Sequence, residues 1–385
     1  MTDIRRAIGL LRDLVAFPSL SRTTTLPIAG YVGACLDACG VPWCLDGDGG
    51  QANLFATIGP EVDGGVVLSG HFDVVPAGDE GWGGDPFVLR EAEGRLIGRG
   101  AVDMKGFLAC CLAMVPVWAK GRLRRPVHLA FTHDEEVGSF GAARLPGFLA
   151  GRPFRPGIAV VGEPTGMRPI VGHKAGFELI TTVTGLAGHA ATPSRGLNAV
   201  YYAGRLVAHI EATAARLAAA PRDGSPFDPP YSTLSVGRIE GGIARNVIPD
   251  TCRIVWEVRP LPEDDGGAIV AGIEGFARDT LLPEMQARHP EAGLAFVQEA
   301  HFPGLAARPR SKAADLVRRL WTDAPGEVVS FGTDGGHLQA AGLDTVVFGP
   351  GSIRQAHTPD EYVEVAALED CLAFLDRLGR WLEEG

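Results

Sequence analysis

Between residues 50 and 176, short apolar runs alternate with helical stretches, and this rhythm restricts the possible folds more than any other feature of the chain. The runs are "VVLSG", "VHLAF" and "GIAVVG"; between them lie "FLACCLAMV" and a segment of small residues around Gly141. Strands that apolar belong in a sheet covered on both faces, and strands separated by helices predict a largely parallel one. After "KAGFELITTVTG" the rhythm changes to a long helical stretch, a Pro-rich loop at 221–230, two strand-like runs ("YSTLSVGRIEG", "DTCRIVWEVRP"), a helix near 264–282 and a strand "LAFVQEA". Strand, helix, strand, strand, helix, strand is the split βαβ order of a ferredoxin-like sandwich. "EVVSFGTDGG", "DTVVFGPGS" and a closing amphipathic helix then resume the first pattern. The expected fold is therefore α/β: a mixed, largely parallel sheet flanked by helices, with an inserted ferredoxin-like α+β domain. The larger domain is expected to be discontinuous, residues 1–177 and 301–385, with the insertion at 178–300.

The bulk numbers exclude several classes. With 385 residues, 46% hydrophobic and 21% charged, the chain has a core-forming, globular composition. A formal charge of -11 and no dense run of Lys and Arg argue against nucleic acid as a partner. The opening "MTDIRRAIGLLRDLVAF" reads as an amphipathic first helix through Ile4, Ile8, Leu11, Leu14 and Val15, without the unbroken apolar core of a secretory signal. The long apolar, uncharged stretch Phe107 to Ala119 falls short of the roughly 20 residues a bilayer needs and contains Pro116, so it is expected as a buried helix, kinked or ending near the proline, and no membrane partner is expected. Seven cysteines, an odd set in a large chain, indicate reduced thiols and a cytoplasmic setting. Cys35, Cys39 and Cys44 match no paired zinc-knot spacing.

Chemistry collects beyond the carboxyl ends of parallel strands. Read in that light, "SGHFDVVP" places His71 and Asp73 after one apolar run, "VHLAFTH" is followed by Asp134, Glu135 and Glu136, "IAVVG" by Glu163, and "VVFGPGSIRQA" by His357, with Asp103 in the loop "GRGAVDMKG". Singly, each has a bland reading: Asp103 a turn residue, the acidic run a solvated helix start, Glu163 a cap before Pro164, His357 a surface residue. Together, carboxylates brought so close repel one another unless cations hold them. Two histidines with three carboxylates suit zinc, or cobalt or manganese, better than calcium. Five ligands with one carboxylate shared suit two divalent ions about 3.5–4 Å apart. Asp73 would then orient His71 through the free ring nitrogen.

These motifs, "SGHFDVVP", "GRGAVDMKG", "DEEVGSFGA", "VGEPT" and "GPGSIRQAHTPDEYV", resemble in order and over nearly the whole chain those of the dinuclear zinc aminoacylase and carboxypeptidase family. The resemblance is strongest to the acetylornithine deacetylase branch, ahead of the succinyl-diaminopimelate desuccinylase type. It implies a zinc-peptidase-like fold, a small N-acyl amino acid substrate and a homodimer formed through the inserted domain. It also implies that His71 and Glu163 bind one metal, Glu136 and His357 the other, and that Asp103 bridges both, with a cis peptide after Asp103. Glu135 would be the general base, His189 in "GLAGHAATP" an oxyanion donor reaching over from the inserted domain of the partner subunit, and Asn246, Arg259, Gly332 and Thr333 substrate contacts. Arg259 has a competing reading as a partner of Glu257, His189 as a surface-turn histidine, and Lys174 in "HKAG" reads equally as a hinge contact. Asp334 and Gly335 stand where many deacetylases carry Glu-Ala, nearer the desuccinylase form. A serine hydrolase is disfavoured because no G-x-S-x-G occurs, and H-E-x-x-H is also missing. An inactive metal-binding relative would be expected to lose Glu135, which this chain keeps.

Overall fold

The computed structural model describes residues 3–78 and 80–384. The chain divides into two compact units, the first formed by residues 1–172, 305–328 and 333–385, the second by 173–304 and 329–332.

In the first unit an eight-stranded sheet is built around parallel strands. In chain order its early members are β1 (Trp43–Asp48), β2 (Gln51–Ile58), β3 (Val66–His71), β4 (Val127–Thr132) and β5 (Ile158–Val161). β3 lies between β4 and β5, parallel to both, and Asp344–Val347 extends the parallel set beyond β5. β1 and β2 add an antiparallel edge. Every residue of β3, β4 and β5 is buried, as two covered faces require.

Helix Ile4–Val15 is capped by Asp3, whose carboxylate accepts from the Arg5 N–H, and buries Ala7, Leu10, Leu11, Leu14 and Val15. Helix Gly106–Lys120 is apolar on all sides, and Gly106 to Val115 are buried without exception. With the preceding turn it is the one stretch among the described residues long and apolar enough to cross a membrane, and it is instead the central core helix. It is buried as expected from sequence, carries Pro116 inside it and ends four residues later at Lys120. The proline forfeits one backbone hydrogen bond, and burial of Cys111 to Val115 before it and Trp118 after it outweighs that loss.

The second unit contains β6 (Gly176–Thr184), helix Ala199–Ala218, β7 (Thr233–Gly241), β8 (Thr251–Arg259), helix Gly266–Phe276 and β9 (Gly293–Phe302). The strands are antiparallel in the order β7-β8-β6-β9, the arrangement of the ferredoxin-like sandwich. β8 alternates buried and open positions: Cys252, Ile254, Trp256 and Val258 face the helices. The Trp256 indole N–H is satisfied by Thr181 Oγ1 at 2.9 Å.

Two glycines permit the close packing just past the ends of the parallel strands. A Cβ on Gly162, between β5 and Glu163, would lie 2.1 Å from the Phe107 ring, and one on Gly349 would lie 2.1 Å from the Gly162 carbonyl oxygen. Gly162→Ala is therefore expected to destabilise the first unit by about 2–3 kcal/mol through overpacking. A denaturant midpoint equal to that of the parent protein would contradict this.

Candidate metal centre

The parallel strands run the same way, so their last residues and the loops after them share one end of the sheet. His71 ends β3; Asp134, Glu135 and Glu136 follow β4; Glu163 follows β5 by one glycine; His357 lies in the loop after Asp344–Val347. Asp103 sits in the turn Ala101–Lys105 that opens the core helix, and the Asp103–Met104 peptide is cis.

The five metal candidates converge. His71 Nε2 is 3.1 Å from Asp103 Oδ1 and 3.6 Å from Glu163 Oε1. His357 Nε2 is 3.3 Å from Asp103 Oδ2 and 3.0 Å from Glu136 Oε2. Asp103 thus turns one oxygen to each histidine, and each histidine has a further carboxylate of its own. His71, Asp103 and Glu163 are buried, whereas the His357 side chain is 50% exposed. Glu135 also lies within reach of a cation shared by His71 and Glu163.

The histidine tautomer suits a metal. His71 Nδ1 lies 2.8 Å from the Asp73 carbonyl oxygen, which can only accept, so Nδ1 carries the proton and a neutral ring would direct a lone pair from Nε2 into the cluster. Asp73 thus meets the free ring nitrogen of His71 through its backbone carbonyl rather than its carboxylate. The nearest carboxylate oxygen is 3.6 Å away. That carboxylate instead accepts from the backbone N–H groups of Glu135 at 3.1 Å and Glu136 at 3.3 Å, and from Ser21 Oγ at 2.8 Å. Asp73 therefore positions the base candidate and one ligand together.

Electrostatically, the group is built for cations. Burial and the neighbouring Asp103 raise the pKa of Glu136 to about 7, and the same two causes push Glu163 well above the ordinary carboxylate range. Burial followed by the charge of Glu163 does the same to Glu135. Hydrogen bonds to Asp103 and Glu136 lift His357 to about 10. Burial opposes charge on Asp103, but hydrogen bonds from His357 and His71 pull its pKa down. Protons are thus retained where a divalent ion would satisfy the same atoms, and Glu163 Oε1 is buried with no hydrogen-bond partner. The donor set fits two transition ions: imidazole nitrogen and carboxylate oxygen, with one carboxylate shared.

Several supports were not legible from sequence. Glu361 is fully buried; its Oε1 accepts from the N–H groups of Val102 at 3.1 Å and Asp103 at 3.2 Å, and its Oε2 from Arg99 at 2.6 Å. Asp134 has a left-handed backbone, accepts from the Arg22 N–H and lies 3.1 Å from His133 Nδ1. Asp334 is buried rather than open to a ligand: Thr132 Oγ1 donates to its Oδ2 at 2.6 Å, while Oδ1 is unpartnered. Residues 165–167 hydrogen-bond to Gly349 and Gly351, tying the Glu163 loop to the chain leading to His357. The only cue to Glu361 was its place in "HTPDEYV", where it resembles an exposed turn residue.

The remaining candidates fall elsewhere. Thr333 belongs to the first unit and is buried, its Oγ1 accepting from the Gly335 N–H at 3.0 Å. In the second unit His189 and Asn246 are exposed and joined by a short ribbon: Gly188–His189 pairs with Val247–Ile248, and the Ala190 N–H donates to the Asn246 carbonyl at 3.0 Å. His189 Nδ1 accepts from the Ala191 N–H at 3.1 Å, which places the ring proton on Nε2. Arg259 is engaged by Glu257 at 2.7 Å and Glu178 at 3.5 Å and stacks over Phe302, in line with its competing reading. Gly332 admits the Phe302 ring, which an added Cβ would meet at 2.0 Å. Lys174 is buried and donates to the Tyr231 carbonyl at 2.8 Å.

A parallel-sheet domain whose strand ends gather this ligand set, with a ferredoxin-like insertion, defines a metal-dependent amide hydrolase. The chain belongs to peptidase family M20/M25/M40, whose model matches residues 67–380. It is 33% identical, over 96% of its own length and 95% of the other's, to an acetylornithine deacetylase of Proteus mirabilis. Its fold is similar to that of a family M20 metallo-carboxypeptidase from Sulfolobus solfataricus, with a TM-score of 0.78 at 15% identity over 98% of this chain and 99% of that one. It is also similar to that of a Bacillus subtilis dinuclear metal-binding peptidase of the same family, with a TM-score of 0.64 at 17% identity over 99% of this chain and 98% of that one.

Because protons held by Glu136 and His357 must leave when metal enters, zinc binding to metal-free protein at pH 7 is expected to release at least about one proton per chain and to strengthen as pH rises. Calorimetry in buffers of different ionisation enthalpy reads this directly; uptake of protons would contradict it.

Proposed function

We propose that the protein hydrolyses the amide bond of an N-acylated amino acid, with N-acetylornithine, cleaved to ornithine and acetate in cytoplasmic arginine biosynthesis, as its substrate. The observation that carries this reading is the Asp103 carboxylate facing His71 with one oxygen and His357 with the other, beside Glu135. In the proposed assignment His71 and Glu163 would hold one zinc ion, Glu136 and His357 would hold the second, and Asp103 would be shared between them. When bound, the ions polarise the scissile carbonyl and make a water acidic enough to be a nucleophile near neutral pH.

Glu135 takes the proton of the attacking water and returns it to the departing amine. Its raised pKa favours holding that proton between the two steps, and Asp73 fixes the backbone N–H from which it projects. His189 donates from Nε2 to the developing oxyanion, a role supported by the tautomer that Ala191 imposes. Asn246, Arg259, Gly332 and Thr333 are the proposed substrate contacts, and Arg259 can clamp a carboxylate only by exchanging it for Glu257. The second unit is proposed as the dimerisation domain, consistent with the exposed side chains of Tyr201 and Ile239 and the unpaired edge of β7. The Asp334–Gly335 pair keeps a desuccinylase reading in play for the acyl group.

Glu135→Ala is expected to retain both metals by elemental analysis and to lose hydrolysis by at least about 10²–10⁴-fold; turnover near the parent rate would remove Glu135 as base. His189→Ala should lower kcat about 10²–10³-fold with metal content unchanged, and unaltered kinetics would exclude it from the chemistry. Zinc- and cobalt-loaded enzyme assayed on N-acetylornithine, N-succinyl-diaminopimelate, other N-acyl amino acids and dipeptides ranks the substrates. A higher kcat/KM on any other than N-acetylornithine overturns that choice and leaves the hydrolase class standing.

A further inference from the structure

At the opposite end of the sheet from the metal centre, where β3 and β5 begin, lies a cavity of about 440 Å³ within the first unit. Its floor is backbone, formed by Gly64, Gly65 and Gly157, and a Cβ on Gly64 would meet nothing within 4 Å. Ile158, Leu316 and Trp381 supply apolar walls, and Arg125, Lys312, Asp315 and Arg319 line the rest. That volume, with apolar walls and few converging polar groups, is characteristic of a small-molecule site.

The charges in the cavity do not cancel. Asp315 is paired with Arg318, and Arg319 reaches Glu384 at 3.4 Å. Neither the Arg125 guanidinium nor Lys312 Nζ has an ion-pair partner among the described residues, in a chain of net charge -11. Arg125 Cζ lies over the Trp381 ring at 4.6 Å from its centroid, and none of the guanidinium N–H groups donates to another described residue, which leaves them free for bidentate contact with an oxyanion. The neighbouring helix Lys312–Leu320 does not supply the anion site itself, because the Lys312 N–H and Ser311 Oγ are both taken by the Asp344 carboxylate at 2.7 Å.

We infer that this cavity binds a phosphate monoester carried on a flat ring, of the nucleoside monophosphate class. The two uncompensated cations match a phosphate monoester, which carries about -1.5 to -2 at neutral pH, better than a single carboxylate. The side-chain-free floor and the Trp381 wall accommodate the ring. The site lies roughly 17 Å from His71 along β3, and none of its residues belongs to the metal centre.

Calorimetric titration of the metal-loaded full chain with AMP tests this. AMP is expected to bind with a Kd of about 1 mM or tighter, and adenosine or inorganic phosphate at least about tenfold more weakly. Lys312→Glu, an exposed position outside the catalytic apparatus, should weaken AMP by about tenfold or more with hydrolysis unchanged. Absence of AMP binding at about 10 mM, equal binding of inorganic phosphate, or an AMP affinity untouched by Lys312→Glu, which would assign the ligand to the metal centre, each overturns the inference. None of these outcomes bears on the hydrolase reading.

Discussion

Two oxygens of one carboxylate, each turned toward a different histidine, are the constraint around which the first unit is organised. Asp103 is buried among Glu135, Glu136 and Glu163, and such a group is stable only with positive charge between its members. Protons and divalent cations can both fill that role. The family to which the chain belongs identifies the cation as the working partner, and the raised pKa values of Glu135, Glu136, Glu163 and His357 are the measure of how strongly the fold demands it.

Around this group a second set of acids acts on backbone rather than on metal. Asp73 gathers the N–H groups of Glu135 and Glu136, Glu361 those of Val102 and Asp103, and Asp134 that of Arg22. Loops leave backbone donors without ladder partners, and a buried carboxylate satisfies two at once while fixing where the next side chain points. The ligands are consequently held by hydrogen bonds between distant segments as well as by the strands that precede them. The metal end and the Arg125–Lys312 cavity occupy opposite ends of the same parallel strands and use different chemistry: acids and imidazoles at one, unpaired cations and glycine backbone at the other.

Fold and ligands were largely readable because both are written in period and spacing. Buried strands announce themselves as apolar runs, and the residues that matter follow directly after them, as His71 and Glu163 do. How far the helix continues past Pro116 was not readable, since local propensity carries no information about the core that holds Gly106–Lys120 together. The pairing of Arg259 with Glu257, two residues away, was one of its two readings from sequence, whereas Glu178 is 81 residues away and invisible to any local pattern.

By itself, the amino-acid order determined the layer architecture and the split βαβ order of the insertion, because each depends on periodicity, and it offered the candidate ligands, all but Asp103 by their position after a strand. Only the tertiary structure decided that Asp73 steers His71 with its backbone and the base candidate with its carboxylate. It likewise decided that Glu361 supports Asp103, that Asp334 is buried, and that Arg125 and Lys312 line one cavity whose single acid, Asp315, is paired with Arg318. Apart from the His71–Asp73 contact, two positions apart, those are matters of which atoms meet across 62 to 258 positions of chain, and a carboxylate's hydrogen-bond partner is fixed by distance and angle in three dimensions, for which the one-dimensional order holds no signal.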